Sequence, residues 1–329
     1  MDFSDLLEPF DRMLEAAASP AAVRAVEGGG SADAMWDAAQ ASGFLDALVP
    51  EAAGGFGLPA AAVQPLWQAL GRHAVPLPVG ETMIARALLA DAGAPIPDGP
   101  IVLAVAAAGQ VAVVPCGLVA RHALVEQGGQ VGLVALAPGM AAATGVVGSL
   151  AARISFPPLS RGFAAPPGGL RALGALLRAA LIAGAADRLV TMTTVYANER
   201  VQFGKPIGRQ QALQQQMAVM AEEAVAARIA SQIGCAAGLP PSLAAVATAK
   251  SVASRAAATI AATAHAVHGA IGISEEHDLQ LFTRRLHEWR LADGSETYWN
   301  RLLGAARLAK PGRSVDFVRA ELPSGPSAA

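Results

Sequence analysis

The chain has 329 residues, enough for two or three structural units around a sizeable core, and 53% of them are hydrophobic while only 5% are aromatic. Alanine supplies much of that apolar content, which favours closely packed helices. With 24 basic and 26 acidic residues the net charge is -2, so neither a nucleic-acid surface nor an anionic-membrane surface organises the protein.

Met-Asp-Phe-Ser-Asp at the N-terminus is acidic and has no signal-peptide pattern. Residues 1 to about 95 read as helical. Leu6, Leu7, Phe10 and Leu14 recur at helical spacing, and Ser19-Pro20 forms a cap followed by proline at the first helical position. A further helix carries Met35, Trp36 and Ala39 and ends at Gly43. Gly54-Gly55-Phe56-Gly57 turns the chain. The next helix runs from Ala60 to Leu70 and stops at Gly71-Arg72, and Pro76 and Pro78 mark an irregular connection.

From Ile101 to Phe156 the texture changes to short β-branched runs. Ile101–Val105, Val111–Val114, Ala123–Val125, Val131–Val134 and Ile154–Phe156 are separated by Gly, Gln or Pro, the pattern of an antiparallel sheet. The apolar stretch Ile101–Ala120 is interrupted by Gln110 and Pro115, which suits buried strands better than a membrane span. Cys116 and Cys235 form no metal or redox spacing and read as packing residues in a reducing, cytoplasmic setting.

After Pro166-Pro167-Gly168-Gly169 the spacing predicts a long helix over 170–198. Further helices follow at 209–238, 242–268 and 278–289, with another starting near Ser295, as an antiparallel bundle. The tail beyond Lys310, with Pro311, Pro323 and Pro326, reads as loose. His265, His268 and His277 lack a carboxylate or cysteine that would complete a metal site. Glu275-Glu276 reads as a solvated loop. Arg284-Arg285 and Arg290 read as an exposed face able to meet phosphates or an acidic partner.

The first two bundle helices meet at Arg200-Val-Gln-Phe-Gly-Lys-Pro206, where Gly204 and Pro206 break the helix and a Gln-rich helix leaves. Arg200, Gln202 and Phe203 together suit a large ligand that is part anionic and part aromatic. This stretch resembles the acyl-CoA dehydrogenase family at the start of its C-terminal helical domain. Two further stretches resemble it in the same order. Val49-Pro-Glu-Ala-Ala-Gly-Gly-Phe-Gly-Leu58 is similar to the family's V-P-E-x-x-G-G-x-G-L loop, and His268-Gly-Ala-Ile-Gly-Ile-Ser-Glu-Glu-His-Asp-Leu279 to its H-G-G-x-G-x-x-x-E-x-x-L loop.

The resemblance implies a mainly α fold with a small β domain. It places an N-terminal helical domain at 1–97, a shortened β domain at 98–165, a C-terminal bundle at 166–310 and a loose tail at 311–329. It implies FAD as cofactor, with Arg200, Phe203 and Gln211 reaching it across a subunit interface and Gln202 beside them as a further candidate contact. The family's base is the Glu of an E-G-T segment, which here reads Asp293-Gly294-Ser295, so Asp293 takes the base position and Ser295 that of a flavin-contacting Thr. Asp293 or Ser295 capping the next helix is the competing reading. The alternative base position used by some relatives falls on Gly174, and that carboxylate is absent. Ala266 and Ala270 replace a family Gln and Gly, and no T-E-P-x-A-G-S-D-like segment is present.

A kept corner, a short sheet and an altered base resemble the short subunit of a heteromeric α2β2 acyl-CoA dehydrogenase of the steroid-degradation type. That implies dehydrogenation of an acyl-CoA thioester, possible transfer of electrons to an electron-transfer flavoprotein, and FAD contacts given in trans to a full-length partner. A homo-oligomer using Asp293 as base and a non-catalytic helical assembly subunit are the alternatives.

Overall fold

The computed structural model describes residues 4–202, 204–236 and 238–322. The N-terminal part comprises α1 (Ser4–Ala17), α2 (Pro20–Glu27), α3 (Asp33–Ala41), α4 (Ala60–Arg72) and α5 (Val79–Asp91). Ser19 caps α2 as the sequence predicts, its Oγ accepting from the Ala22 amide at 3.3 Å with Pro20 next in line. Met35, Trp36 and Ala39 form the buried stripe of α3. Pro76 and Pro78 lie in the irregular connection over 73–78, as expected, and α5 begins directly after Pro78. Phe203 lies outside the described residues, as do Pro323 and Pro326.

Seven strands follow: β1 (Ile101–Val105), β2 (Val111–Val114), β3 (His122–Gln127), β4 (Gln130–Ala135), β5 (Ala142–Ala143), β6 (Ala152–Ser155) and β7 (Phe163–Ala164). They form two sheets, ordered β1-β3-β4-β7 and β2-β6-β5. The fully antiparallel expectation is corrected at one pair, since β1 and β3 run parallel with Ile101 opposite His122 and Val105 opposite Glu126. The alternation of side chains explains why β1 is apolar throughout. Ile101 and Leu103 enter the helical core, whereas Val102 and Ala104 face Val114, Ala152 and Ile154 of the smaller sheet.

The C-terminal part is a bundle of α6 (Gly169–Glu199), α7 (Gln211–Ala236), α8 (Leu243–His268), α9 (Leu279–Leu291) and α10 (Glu296–Leu308). Helix α6, 31 residues long, is buried on all sides over its first half, as an apolar helix without a polar stripe must be. Its first turn is tied to the sheet, because the Leu170 amide donates to Glu126 of β3 at 2.7 Å. Helix α4 ends at Arg72, in agreement with the stop expected at Gly71-Arg72, and Gly71 lies where α4 and α6 cross. A Cβ on Gly71 would stand 2.0 Å from the Leu181 carbonyl oxygen, and one on Gly184 would stand 1.8 Å from that of Gln68. The two glycines let the backbones touch. The tail expected to be loose carries α11 (Ser314–Glu321), held by a Lys310–Glu321 ion pair.

Candidate active site

A cavity of about 800 Å³ opens between the small sheet and the α9–α10 junction. Val105, Val113, Val146, Val147 and Leu291 give it an apolar mouth, and arginines and carboxylates line the remainder. Asp293 belongs to this lining. Helix α9 ends at Leu291, and the chain turns through Asp293 at φ 58° and Gly294 at φ 98° before α10 begins. Aspartate tolerates the left-handed region better than most residues, and the Trp299 indole fixes the turn by donating to the Asp293 carbonyl at 3.0 Å.

The Asp293 carboxylate turns inward and caps nothing. Its Oδ2 lies 3.3 Å from Arg178 Nε, and Arg178 is in turn paired with Glu81 of α5 at 2.6 Å. Arg178 and Glu81 are each 3% exposed and Asp293 is 20% exposed. Burial by itself would lower the Arg178 pKa, but Glu81 and Asp293 more than offset it and hold the guanidinium above its ordinary value. The carboxylate also lies over Gly174, where a Cβ would come within 2.6 Å of its carboxyl carbon. The two positions that the sequence resemblance marked as alternative base sites, 293 and 174, meet in space, and glycine at 174 makes room for the carboxylate at 293.

Beneath this turn lies Lys250 of α8, fully buried. Its ammonium donates to Ser254 Oγ at 2.8 Å and to the carbonyls of Trp289 and Arg290 at 2.9 and 2.8 Å, closing the end of α9. Burial lowers its pKa to about 7, with Asp293 pulling the other way. Cys116, buried nearby and in the left-handed region, is pushed up to about 12 by burial and then by Glu81, so its thiol is an inert packing group.

Arg284, Arg285 and Arg290 do not form the exposed face expected from sequence. Glu27 of α2 accepts from Arg284 at 2.6 Å and from Arg285 at 3.0 Å, and Arg285 is only 2% exposed. Arg290 binds Glu296 through Nε at 3.1 Å. A buried salt link thus joins the N-terminal helices to the bundle at the edge of the cavity. Ser295 is the N-cap residue of α10, half-buried, and its side chain makes no capping bond. Glu275 and Glu276 are exposed.

Arg200, Gln202 and Gln211 lie far from Asp293. The corner closes as a hairpin of β8 (Val201–Gln202) and β9 (Lys205–Pro206), with Gln202 opposite Lys205. All three side chains are exposed, and Arg200 has no ion pair among the described residues. Beneath the corner Tyr196 stacks on His268 at 4.4 Å, so this end of the bundle also holds the His268–Leu279 loop. His268 donates from Nδ1 to the Ala264 carbonyl at 2.8 Å, and burial lowers its pKa. From Gly174 to Arg200 the α6 axis runs about 39 Å at about 1.5 Å per residue. Asp293 and Ser295 are brought together at one end, and Arg200, Gln202 and Gln211 at the other.

Glu81, Arg178 and Lys250 escape a motif search. Their signal is a lone charge inside an apolar run, as in Leu176-Leu177-Arg178-Ala179-Ala180 and Ala247-Thr248-Ala249-Lys250. A charge there is buried and therefore partnered.

A helical N-terminal part, a small double sheet and a long-helix bundle around this cavity constitute the acyl-CoA dehydrogenase fold. Residues 161–308 match the family described as acyl-CoA dehydrogenase, C-terminal domain. The acyl-CoA dehydrogenase IpdE2 of Mycolicibacterium smegmatis is 38% identical over 119 residues, a match that spans 36% of this chain and 37% of that protein. Among solved structures, the ChsE4-ChsE5 complex from Mycobacterium tuberculosis superposes with a TM-score of 0.76 at 23% identity, covering 95% of this chain and 100% of that one. The Tcur3481-Tcur3483 steroid ACAD gives 0.81 at 22% identity, covering 94% and 99%. At these identities the two structures establish the fold.

Proposed function

We propose that this chain is a subunit of an FAD-dependent acyl-CoA dehydrogenase of α2β2 type, and that its Arg200 corner serves a flavin held mainly by a longer partner subunit. The separation along α6 carries this reading. A cationic, amide-rich corner about 39 Å from its own chain's cavity cannot reach a ligand there, so its ligand belongs to a neighbour. The corner fits the anionic part of a dinucleotide, since Arg200, Gln202 and Gln211 are exposed and Arg200 has no carboxylate partner among the described residues. Bound FAD would supply hydride acceptance from the β carbon of the thioester. Two relatives described as a ChsE4-ChsE5 complex and as a steroid ACAD favour a two-chain assembly and a steroid-derived CoA ester as substrate. An electron-transfer flavoprotein would take the electrons onward. Val219, Val225 and Ile229 on α7, each 42% to 48% exposed, suit a helix covered by other subunits.

The test is the flavin absorbance and particle mass of this protein purified alone and after co-expression with a full-length relative. Flavin confined to the co-expressed tetramer, and lost from it in Arg200→Ala, is the expected result. Stoichiometric flavin in the lone chain refutes partner dependence.

The cavity favours a second use of the same chain. Its volume is within the range of ligand sites, and Asp293 stands in it as a carboxylate able to take the α proton of a thioester. One flavin per subunit pair would leave a single working site, whereas two would engage both the corner and the cavity. Asp293→Asn abolishing turnover in the assembled enzyme is the expected result of the cavity reading.

A further inference from the structure

Every carboxylate in the cavity already has a cation. Glu27 is held by Arg284 and Arg285, Glu288 by Arg285, and Asp293 by Arg178. The lining nonetheless contains four arginines, Arg153, Arg171, Arg284 and Arg285, against three carboxylates. Arg153 is exposed and donates to the Thr144 carbonyl at 3.3 Å. Arg171 is different. It lies in the first turns of α6, half-buried, with its guanidinium 5.2 Å from the centroid of the Tyr298 ring. Among the described residues it has neither an ion pair nor a hydrogen-bonded side-chain acceptor. An arginine stacked on a ring is held in place with its N–H fork still available, which suits a planar anion.

We infer that Arg171 recognises a carboxylate on the acyl part of the ligand, so that the preferred thioesters are monothioesters of dicarboxylic acids. Position decides the source of the anion. Arg171 precedes Gly174 by about one helical turn, and the Asp293 carboxylate lies directly over Gly174. Anything held by Arg171 is therefore close to the carbon presented to Asp293. A coenzyme A phosphate is separated from the thioester by the whole pantetheine arm and cannot be at Arg171 while the thioester is at Asp293. The acyl part can. The apolar mouth of Val113, Val146 and Val147 accommodates the aliphatic body between the two polar ends.

This inference rests on the cavity reading proposed above, and the test separates the two. Glutaryl-CoA and pentanoyl-CoA differ at the far carbon, carboxylate in one and methyl in the other. Their affinities for the full chain, in the purified assembly, are measured by titration calorimetry at low salt. The expected preference for glutaryl-CoA is about 10- to 100-fold, as a charge-assisted contact supplies. Arg171→Gln should abolish that preference while leaving pentanoyl-CoA affinity within about threefold, and Arg171→Lys should restore part of it. A preference that survives in Arg171→Gln overturns the inference, as does an equal loss for both thioesters in a folded variant. Absence of binding by either thioester to the wild type overturns the cavity reading and this inference with it.

Discussion

The Glu81–Arg178 pair offers a direct measurement of what the buried charge network contributes. Both side chains are 3% exposed and 2.6 Å apart, and the small space around them is lined by Leu70, Val75, Leu77, Leu181 and Trp289. Arg178→Met strands the Glu81 carboxylate there with no cation. Breaking a buried pair in this way costs about 3–5 kcal/mol. Glu81→Leu is milder, because Arg178 keeps Asp293 at 3.3 Å as its counter-ion and Asp293 is partly solvated. The double variant Glu81→Leu/Arg178→Met removes both charges into apolar surroundings, and should be more stable than Arg178→Met alone by about 2 kcal/mol or more. Urea unfolding followed by circular dichroism measures all four proteins, with a constant slope showing that the midpoints report stability. A loss below about 1 kcal/mol in Arg178→Met, or a double variant no better than that single variant, would refute the argument that these charges stabilise each other in place.

Gly184→Ala should destabilise by at least about 2 kcal/mol, since the added methyl meets the Gln68 carbonyl oxygen at 1.8 Å and the Arg72 amide at 2.8 Å, backbone atoms that cannot step aside. Gly304→Ala on α10, where nothing lies within 4 Å, should instead stabilise by up to about 1 kcal/mol; calorimetric melting of the pair tests the contrast. Lys250, with its pKa lowered to about 7 by burial, binds fewer protons folded than unfolded between about pH 7 and its ordinary value of 10.5. Its contribution is therefore least favourable at and below pH 7 and improves as pH rises. Wild type should gain on Lys250→Met by about 1 kcal/mol per pH unit from pH 7 towards pH 10 in urea titrations.

The elements with a strong local period were legible. The long bundle helices and the strands at 101–105 and 111–114 appear where spacing and β-branching place them. The parallel β1–β3 pair was not, because strand direction depends on the connection between strands and leaves no mark on either strand's side-chain pattern. The end of α4 at Gly71-Arg72 was legible, but the helix crossing that Gly71 admits was not. A glycine that ends a helix and one that admits a second helix are identical letters, and only the presence of Gly184 opposite tells them apart. Asp293, which lines the cavity, was singled out by its motif, whereas its proximity to Gly174 was not legible, as 119 residues of chain separate them. Arg284 and Arg285 read as solvated because their counter-ion, Glu27, is contributed by α2 from the far end of the sequence.

Helix α6 sets a phase as well as a length. At about 3.6 residues per turn, inserting one residue near Leu177 would rotate everything beyond it by about 100°. Gly184 would then swing away from Gln68, and a larger side chain would be driven into the α4 backbone. The corner at Arg200 would turn by the same angle. The cavity floor, the crossing with α4 and the exposed corner are thus read from one screw, and an error at any point along it reaches all those downstream. The strands of the double sheet carry no such shared register, since each can be shortened at its loop without rotating another. The rotational register of α6 is accordingly the dimension of this fold with the least slack.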